Sequence, residues 1–467
     1  MIGRVIAHEL RTASRDGRVR GLLVLLLAVL AVAVLVGVVR SSTLRAEHTA
    51  ASAIERANWL AQGTKNPHSA AHYGQFAFKP PSVLAVFDRG VDSYLGVAVW
   101  LEAHRRNSLI HRPADDAPVV QRFGELSAAN VLQVLGPLLA LLLTFATVAG
   151  ERQRGTLRQL LAQGASPVTL LLGKLLAALL LLAPLLLASL FVPAVLAARA
   201  GNGLAPVGLL ALAYGLYLGS FAALGVALSA RARDPGAALV TALGLWIALV
   251  LVVPRLAADL SAWSAPTPSE HEFSVQVARE IKEGINGHDP RDRRTVALKA
   301  AVLAQYGVKT IEELPINFAG LALQAGEEYS DQVHDRHHAR LHTIYREQAD
   351  RALAFAALSP RLALQPLSAA LCGTDLAAHQ EFAAAAETHR RALVRLLNDD
   401  VTQHPGVAPF DYLAEPELWR RVAELRWEAA QRPAGRASPR HLAILAGFFA
   451  ASMLLVLGAA RRLRVDP

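Results

Sequence analysis

The run EEYSDQVHDRHHARLH, residues 327–342, sets His334, His338 and His342 four residues apart, with Asp331 three before the first. On a helix these side chains fall along one flank. Neutral imidazoles and a carboxylate so arranged can ligate zinc or copper. A solvated polar face is the commoner outcome of such a stripe, and no glutamate stands where H-E-x-x-H places a water-activating base. The sequence therefore assigns no metal, and keeps Asp331, His334, His338 and His342 as the candidates a zinc or copper titration would test. It assigns no catalytic residue. No Ser-His-Asp or Cys-His set can be assembled, and the single cysteine, Cys372, reads as a small buried side chain that forms no internal disulfide. G-x-x-x-x-G-K-[ST] is absent, so the chain has no phosphate-cradling loop of its own.

A second set of charged residues lies in GERQRGTLRQLLAQGASPVTLLLGK, residues 150–174, between two oily runs. Thr156 followed by Gln159 has the spacing of a capping box, Gly164 suits a left-handed stop, and Ser166-Pro167 opens the next helix. The enclosed helix, Leu157 to Gln163, is only about 10 Å long at 1.5 Å per residue. Leu157, Leu160 and Leu161 share one face, with Arg158 and Gln159 elsewhere. A helix so short is marginal alone in water, because nucleation is costly. It needs a partner surface: the membrane, other parts of the chain, or a second protein.

The elements that position these residues are membrane helices. More than half of the chain is hydrophobic and 18% is charged, against about 25% in soluble domains. Charge-free runs occupy residues 21–39, 126–150, 175–198, 200–230, 235–254 and 442–460, each long enough for a helix to cross the hydrocarbon core, and they place the spans at 21–39, 126–150, 167–198, 203–230, 235–254 and 441–460. Without the alternation of barrel strands, helices are the remaining way to satisfy the backbone in lipid. The fold class is thus all-α and polytopic, with six transmembrane helices. The first span exceeds a signal-peptide core and reads as an uncleaved anchor.

The net charge of +9 suggests nucleic acid until its distribution is considered. The excess sits in short flanks: Arg4, Arg11, Arg15, Arg18 and Arg20 at one end, Arg152, Arg154, Arg158 and Lys174 in the island, and Arg461, Arg462 and Arg464 in the tail. Positive short flanks stay inside, so both termini and residues 151–166 are expected in the cytoplasm, and no nucleic-acid partner is implied. Residues 40–125 and 255–440 are then extracytoplasmic insertions. The first, with Pro67, Pro80, Pro81, Pro113 and Pro118, reads as mixed and partly irregular. The second is mainly helical, with a long helix ending before Ser359-Pro360 and another introduced by Thr374 or Asp375. Both are expected to pack as one lobe. Residues 1–20 form an amphipathic segment that either lies on the inner membrane face or simply orients the anchor, and 461–467 form a cytoplasmic tail. Gly215 and Gly219 in the fourth span allow close helix approach, more within the chain than between copies. Pro184 and Pro193 are candidate kinks in the third.

The island resembles the coupling-helix region of ABC-2-type permeases. Glu151, Gly155, Thr156, Leu157, Leu160, Leu161, Ser166, Gly173 and Lys174 match its pattern, and the topology is similar. SPRLALQPLSAALCGTDLAAHQEFAAAAETHRRALVRLLND is similar to the signature stretch of a subset with an extracytoplasmic domain of unknown function, and more loosely to permeases of copper-enzyme maturation systems. The resemblance implies a permease subunit in the bacterial cytoplasmic (inner) membrane, working with a second copy or paralogue and two cytoplasmic ABC ATPases that supply ATP and Mg²⁺. It implies ATPase coupling through Glu151, Arg152, Arg154, Gly155, Thr156, Leu157, Leu160, Leu161 and Lys174, with the leucine helix in an ATPase groove and Glu151 and the arginines at its rim. The spans hold no acidic or basic side chain in their interiors, which fits an external energy source rather than ion coupling. The alternative is a membrane-anchored extracytoplasmic binding or maturation protein, one that handles metal among its forms.

Overall fold

A computed structural model describes residues 1–115, 126–283, 292–406, 411–427 and 438–463. Pro118 and the tail residues 464–467 lie outside the described residues. Of the described residues 76% are helical and 3% are in strands, and six of the described helices are long and apolar enough to span a membrane.

The chain starts with α1 (Ile2–Arg15) and α2 (Gly17–Leu60), joined at Asp16, whose carboxylate accepts from the Arg18 N–H. α2 carries the first span far beyond the apolar run. Residues 41–60 contain no glycine or proline and are rich in alanine, so nothing stops the helix at the membrane surface. The irregular insertion expected from residue 40 therefore begins only after Leu60, at Gly63 with its positive φ. α3 (Pro67–Tyr73) follows, then β1 (Gln75–Phe78), β2 (Ala98–Glu102) and β3 (Arg105–Arg106), an antiparallel sheet in the order β1-β2-β3. The second span is α4 (Ala128–Thr144). It passes through α5 (Ala149–Gln153) and α6 (Thr156–Ala162) into the third, α7 (Pro167–Arg199), which stays helical through Pro184 and Pro193.

The fourth span, α8 (Ala205–Arg231), is the hub. Tyr214, Tyr217, Phe221 and Ala222 are completely buried in it. Small residues let neighbours approach: a Cβ at Gly225 would fall 1.9 Å from Thr144 Oγ1, and one at Gly219 would meet Phe449 at 3.0 Å. Gly215 faces open space, so the close approach does not use the Gly215–Gly219 pair. It runs through Gly219 and Gly225; Gly215, one turn before Gly219 on nearly the same face, has no neighbour within 4 Å of a Cβ placed there.

The fifth span does not stop at Pro254. It runs as α9 (Pro235–Trp246), a π-helical turn (Ile247–Val252) and α10 (Val253–Ser264). Val253 N–H bonds to Ala248 O in the π register. The next donor would be Pro254, which has no N–H, so the carbonyls of Leu249 and Val250 need donors from outside the helix. Ser359 Oγ donates to Leu249 O at 2.5 Å and Arg361 Nη1 to Val250 O at 2.7 Å.

Those donors belong to the helical lobe: α11 (Glu270–Lys282), α12 (Arg293–Tyr306), α13 (Phe318–Ala354), α14 (Arg361–Cys372), α15 (Leu376–Thr402) and α16 (Glu417–Arg421). The sixth span, α17 (Pro439–Arg462), follows. Asp375 caps α15 by accepting from Ala378 N–H. The first insertion is built into this lobe. Trp59 Nε1 donates to Trp419 O at 3.0 Å, Trp419 Nε1 to Gly63 O at 2.7 Å, and the two rings meet edge to face. Arg390, almost wholly buried, is held by Glu387, Glu327 and Asp331.

Candidate functional site

The elbow between the second and third spans is clamped at both ends. α5 begins under the hydroxyl of Ser229, which accepts from Val148 N–H (3.0 Å) and Ala149 N–H (3.1 Å). In return Arg152 donates to Ala230 O at 2.7 Å and to Ala232 O, closing the C-terminal end of α8, where a cation is favoured by the helix dipole. Lys174, 2% exposed, lies two turns into α7 with its Nζ 2.5 Å from Glu9 Oε1 and 2.7 Å from Glu151 Oε1. One ammonium thereby joins α1, α5 and α7. Gly173 makes room for this: a Cβ there would sit 2.7 Å from Val5 Cγ1. α1 is thus seated on α7 by Val5 and Glu9, with its basic residues outward.

This arrangement corrects the expected roles. Glu151 and Lys174 are buried together and form no rim, and Arg152 is committed to α8. Charged groups reach such a site only when mutually compensated. Thr156 does not cap the helix. Gly155 takes the N-cap position at φ +78°, outside the extended conformation that lets a side chain reach the first turn, and Thr156 Oγ1 donates back to Glu151 O at 3.2 Å. Gly164 does terminate the helix at φ +84°, with Ala165 N–H bonded to Leu160 O and Gly164 N–H to Leu161 O. Ser166 caps α7 at Thr169 N–H. The leucine face is also occupied within the chain: Leu157 is buried, and Leu160 and Leu161 pack half-buried against the same core as the spans. Gln153, Arg154, Gly155, Arg158, Gln159, Ala162 and Gln163 remain exposed.

At the other end of the bundle, the stretch from Ser359 to Thr374 docks the lobe. Besides the two bonds to the π-turn, Ser368 Oγ lies 3.0 Å from Tyr214 OH and donates to Asp88 Oδ2 at 2.5 Å, while Gln133 Nε2 donates to Tyr214 OH at 2.9 Å. Thr374 Oγ1 donates to Asp88 O at 3.0 Å. Spans two and four, the first insertion and α14 thus share one buried polar chain. Sequence reasoning marked this stretch without assigning roles inside it.

The candidate ligands of the histidine stripe do not converge. Asp331 accepts from Arg390 and sits 3.3 Å from Arg391 Nε. His338 Nδ1 lies 2.9 Å from His334 O, and the ring centroids along the stripe are 6.0 and 6.3 Å apart. Burial, with Arg106 contributing, pushes His334 and His338 down to about 4 and lowers His342. These imidazoles lie beside a guanidinium, and burial disfavours their charged forms. A different trio does converge. His68, His72 and His104 each offer a ligand nitrogen within 4.8 Å of the others. The His68-x-x-x-His72 spacing was the legible signal for it; the approach of His104 was not.

Residues 4–304 match the model of a family described as ABC-2 family transporter protein, and residues 271–428 match a domain of unknown function, DUF3526. A curated relative, described as a probable ABC transporter permease protein NosY of Pseudomonas aeruginosa, is 38% identical over 144 residues. That match covers 27% of this chain and 48% of the relative, about half its length.

Proposed function

This chain belongs to the ABC-2 family of transporters and is a multi-pass protein of the inner membrane, and from that premise we infer that it is the permease subunit of an ATP-driven complex. Two cytoplasmic ABC ATPases bind ATP and Mg²⁺, and a second permease copy or paralogue completes the assembly. Both termini and the elbow face the cytoplasm, and the lobe stands outside.

The observation that carries this reading is the elbow, a short helix whose apolar face is fixed to the spans and whose polar face is free. Arg154, Arg158 and Gln159 supply the ATPase contact, not the leucines. Because α5 is bonded to α8 through Ser229 and Arg152, and to α7 and α1 through Lys174, a push on α6 moves three helices together. The docking of Ser359, Arg361 and Ser368 on spans four and five favours passing that motion into the lobe, so mechanotransmission to the outside accounts for more of the molecule than export alone.

The test is purification of the native complex from membranes, identification of a co-purifying Walker-type ATPase, and measurement of its stimulation by the permease. Arg158→Glu should weaken co-purification and stimulation at least tenfold with the melting temperature unchanged, since an exposed substitution shifts stability within about 0.5 kcal/mol. Leu160→Asp is a poorer probe, because it also disrupts packing within the chain. An Arg158→Glu variant that retains full coupling, or a native assembly without an ATPase, would refute the reading.

A further inference from the structure

Three imidazoles from separate stretches meet on the lobe. His68 and His72 lie one turn apart on α3, a helix started by Asn66, whose side chain accepts from Ser69 N–H at 3.1 Å, and by Pro67 at its first position. His104 occupies the turn between β2 and β3, where Glu102 pairs with Arg105, and its φ is +65°. A non-glycine residue in this left-handed conformation carries a strain cost. Glu327 offsets that cost. Its Oε1 accepts from His104 N–H at 2.8 Å and lies 2.5 Å from His104 Nδ1, while its Oε2 lies 3.3 Å from Arg390 Nη1. With Nδ1–H turned to the carboxylate, the lone pair of His104 is on Nε2.

The three rings form a compact triangle, with centroids 4.6, 4.9 and 5.4 Å apart and the Nε2 atoms of His68 and His72 separated by 3.1 Å. Three imidazoles around one tetrahedral ion, at a metal–nitrogen distance of about 2.05 Å, place nitrogens about 3.3 Å and centroids about 5 Å apart. We propose that His68, His72 and His104 form a binding site for a zinc-like divalent cation, with Glu327 fixing the tautomer and orientation of His104. A carboxylate behind a ligating histidine is the usual outer partner of such sites, and imidazole nitrogens suit zinc first and copper(II) next. Glu327 sets a carboxylate directly behind the triangle, whereas the guanidinium of Arg106 bears on the His334 stripe. Three protein ligands leave a fourth position open, and His72 is solvent-exposed, so the ion exchanges with solution. Entry of the cation moves the one hydrogen between the two facing Nε2 atoms to Nδ1 of its own ring, so that both imidazoles stay neutral and each presents a lone pair at Nε2.

This inference does not depend on the transport reading. The full-length protein in nanodiscs is stripped with chelator and titrated with Zn²⁺ against a chromophoric competitor, then with Co²⁺ for its visible absorption. One zinc per chain and the intense visible bands of tetrahedral cobalt are expected. His72→Ala, at an exposed position, should lower zinc affinity at least tenfold and abolish the cobalt bands, Glu327→Gln should lower affinity about 10–100-fold, and His338→Ala should change neither. If the wild-type protein binds zinc no more tightly than His72→Ala, or if His338→Ala removes the cobalt bands and His72→Ala does not, the proposal is overturned.

Discussion

Lys174→Met tests whether one ammonium seats the N-terminal helix on the elbow. The lysine side chain is 1% exposed, and the carboxylates of Glu9 and Glu151 approach it at 2.5 and 2.7 Å. Methionine nearly conserves the volume and leaves two acidic groups without their shared cation. Glu151 Oε2 is already buried without a hydrogen-bond partner among the described residues, so it has no second donor to turn to. Removing one member of a buried ionic set costs about 3–5 kcal/mol, and α1 can escape part of that cost by lifting Glu9 into water. The assay is maleimide labelling of Val5→Cys, a position in contact with Gly173. The single native cysteine, Cys372, is buried and contributes little background. Labelling at position 5 should be slow in the parent and at least tenfold faster with Lys174→Met. The neutral triple variant, Glu9→Gln, Glu151→Gln and Lys174→Met, should recover protection, because replacing a whole buried ionic set with uncharged groups is often neutral or stabilising. Equal labelling in parent and Lys174→Met would refute the reasoning, as would a triple variant that labels as fast as the single one.

Gly225→Ala should lower the melting temperature in nanodiscs by forcing a methyl group onto Thr144, an overpacking cost of about 1–3 kcal/mol, whereas Gly215→Ala, facing open space, should change nothing; equal effects would contradict the packing described for the fourth span. The lobe should lose stability on acidification. His334, His338 and His379 are held near 4 by burial, below their usual 6.5, so the unfolded chain takes up protons first as pH falls from about 6.5 to 4. Each contributes at most about 1.4 kcal/mol per pH unit in that window. Asp331, pushed up to about 6 by burial, offsets part of the loss. Melting curves that do not change between those pH values would contradict this accounting.

The six spans were legible because hydrocarbon thickness imposes a length and a purity that composition alone displays. Gly164 and Ser166-Pro167 were legible because their backbone demands are local. The partner of Thr156 was not, since a threonine caps only where its own backbone is extended, and Thr156 is already the first helical residue behind a left-handed Gly155. Nor did sequence show that Leu160 and Leu161 are used internally: periodicity defines an apolar face but does not say what covers it. Lys174 was recognised from a pattern, yet its pairing with Glu9, 165 residues away, is a tertiary fact. The same holds for His104, which reaches α3 through a hairpin and is fixed by a glutamate more than two hundred residues downstream.

The π-turn before Pro254 has a consequence for engineering. Its two orphan carbonyls are completed by Ser359 and Arg361, so the fifth span carries a socket that Ser359 and the start of α14 fill. A chimera that transplants the lobe onto another permease without that segment would leave bare carbonyls in lipid on one side and unmatched donors on the other. Lobe and span therefore have to be exchanged as a single cassette.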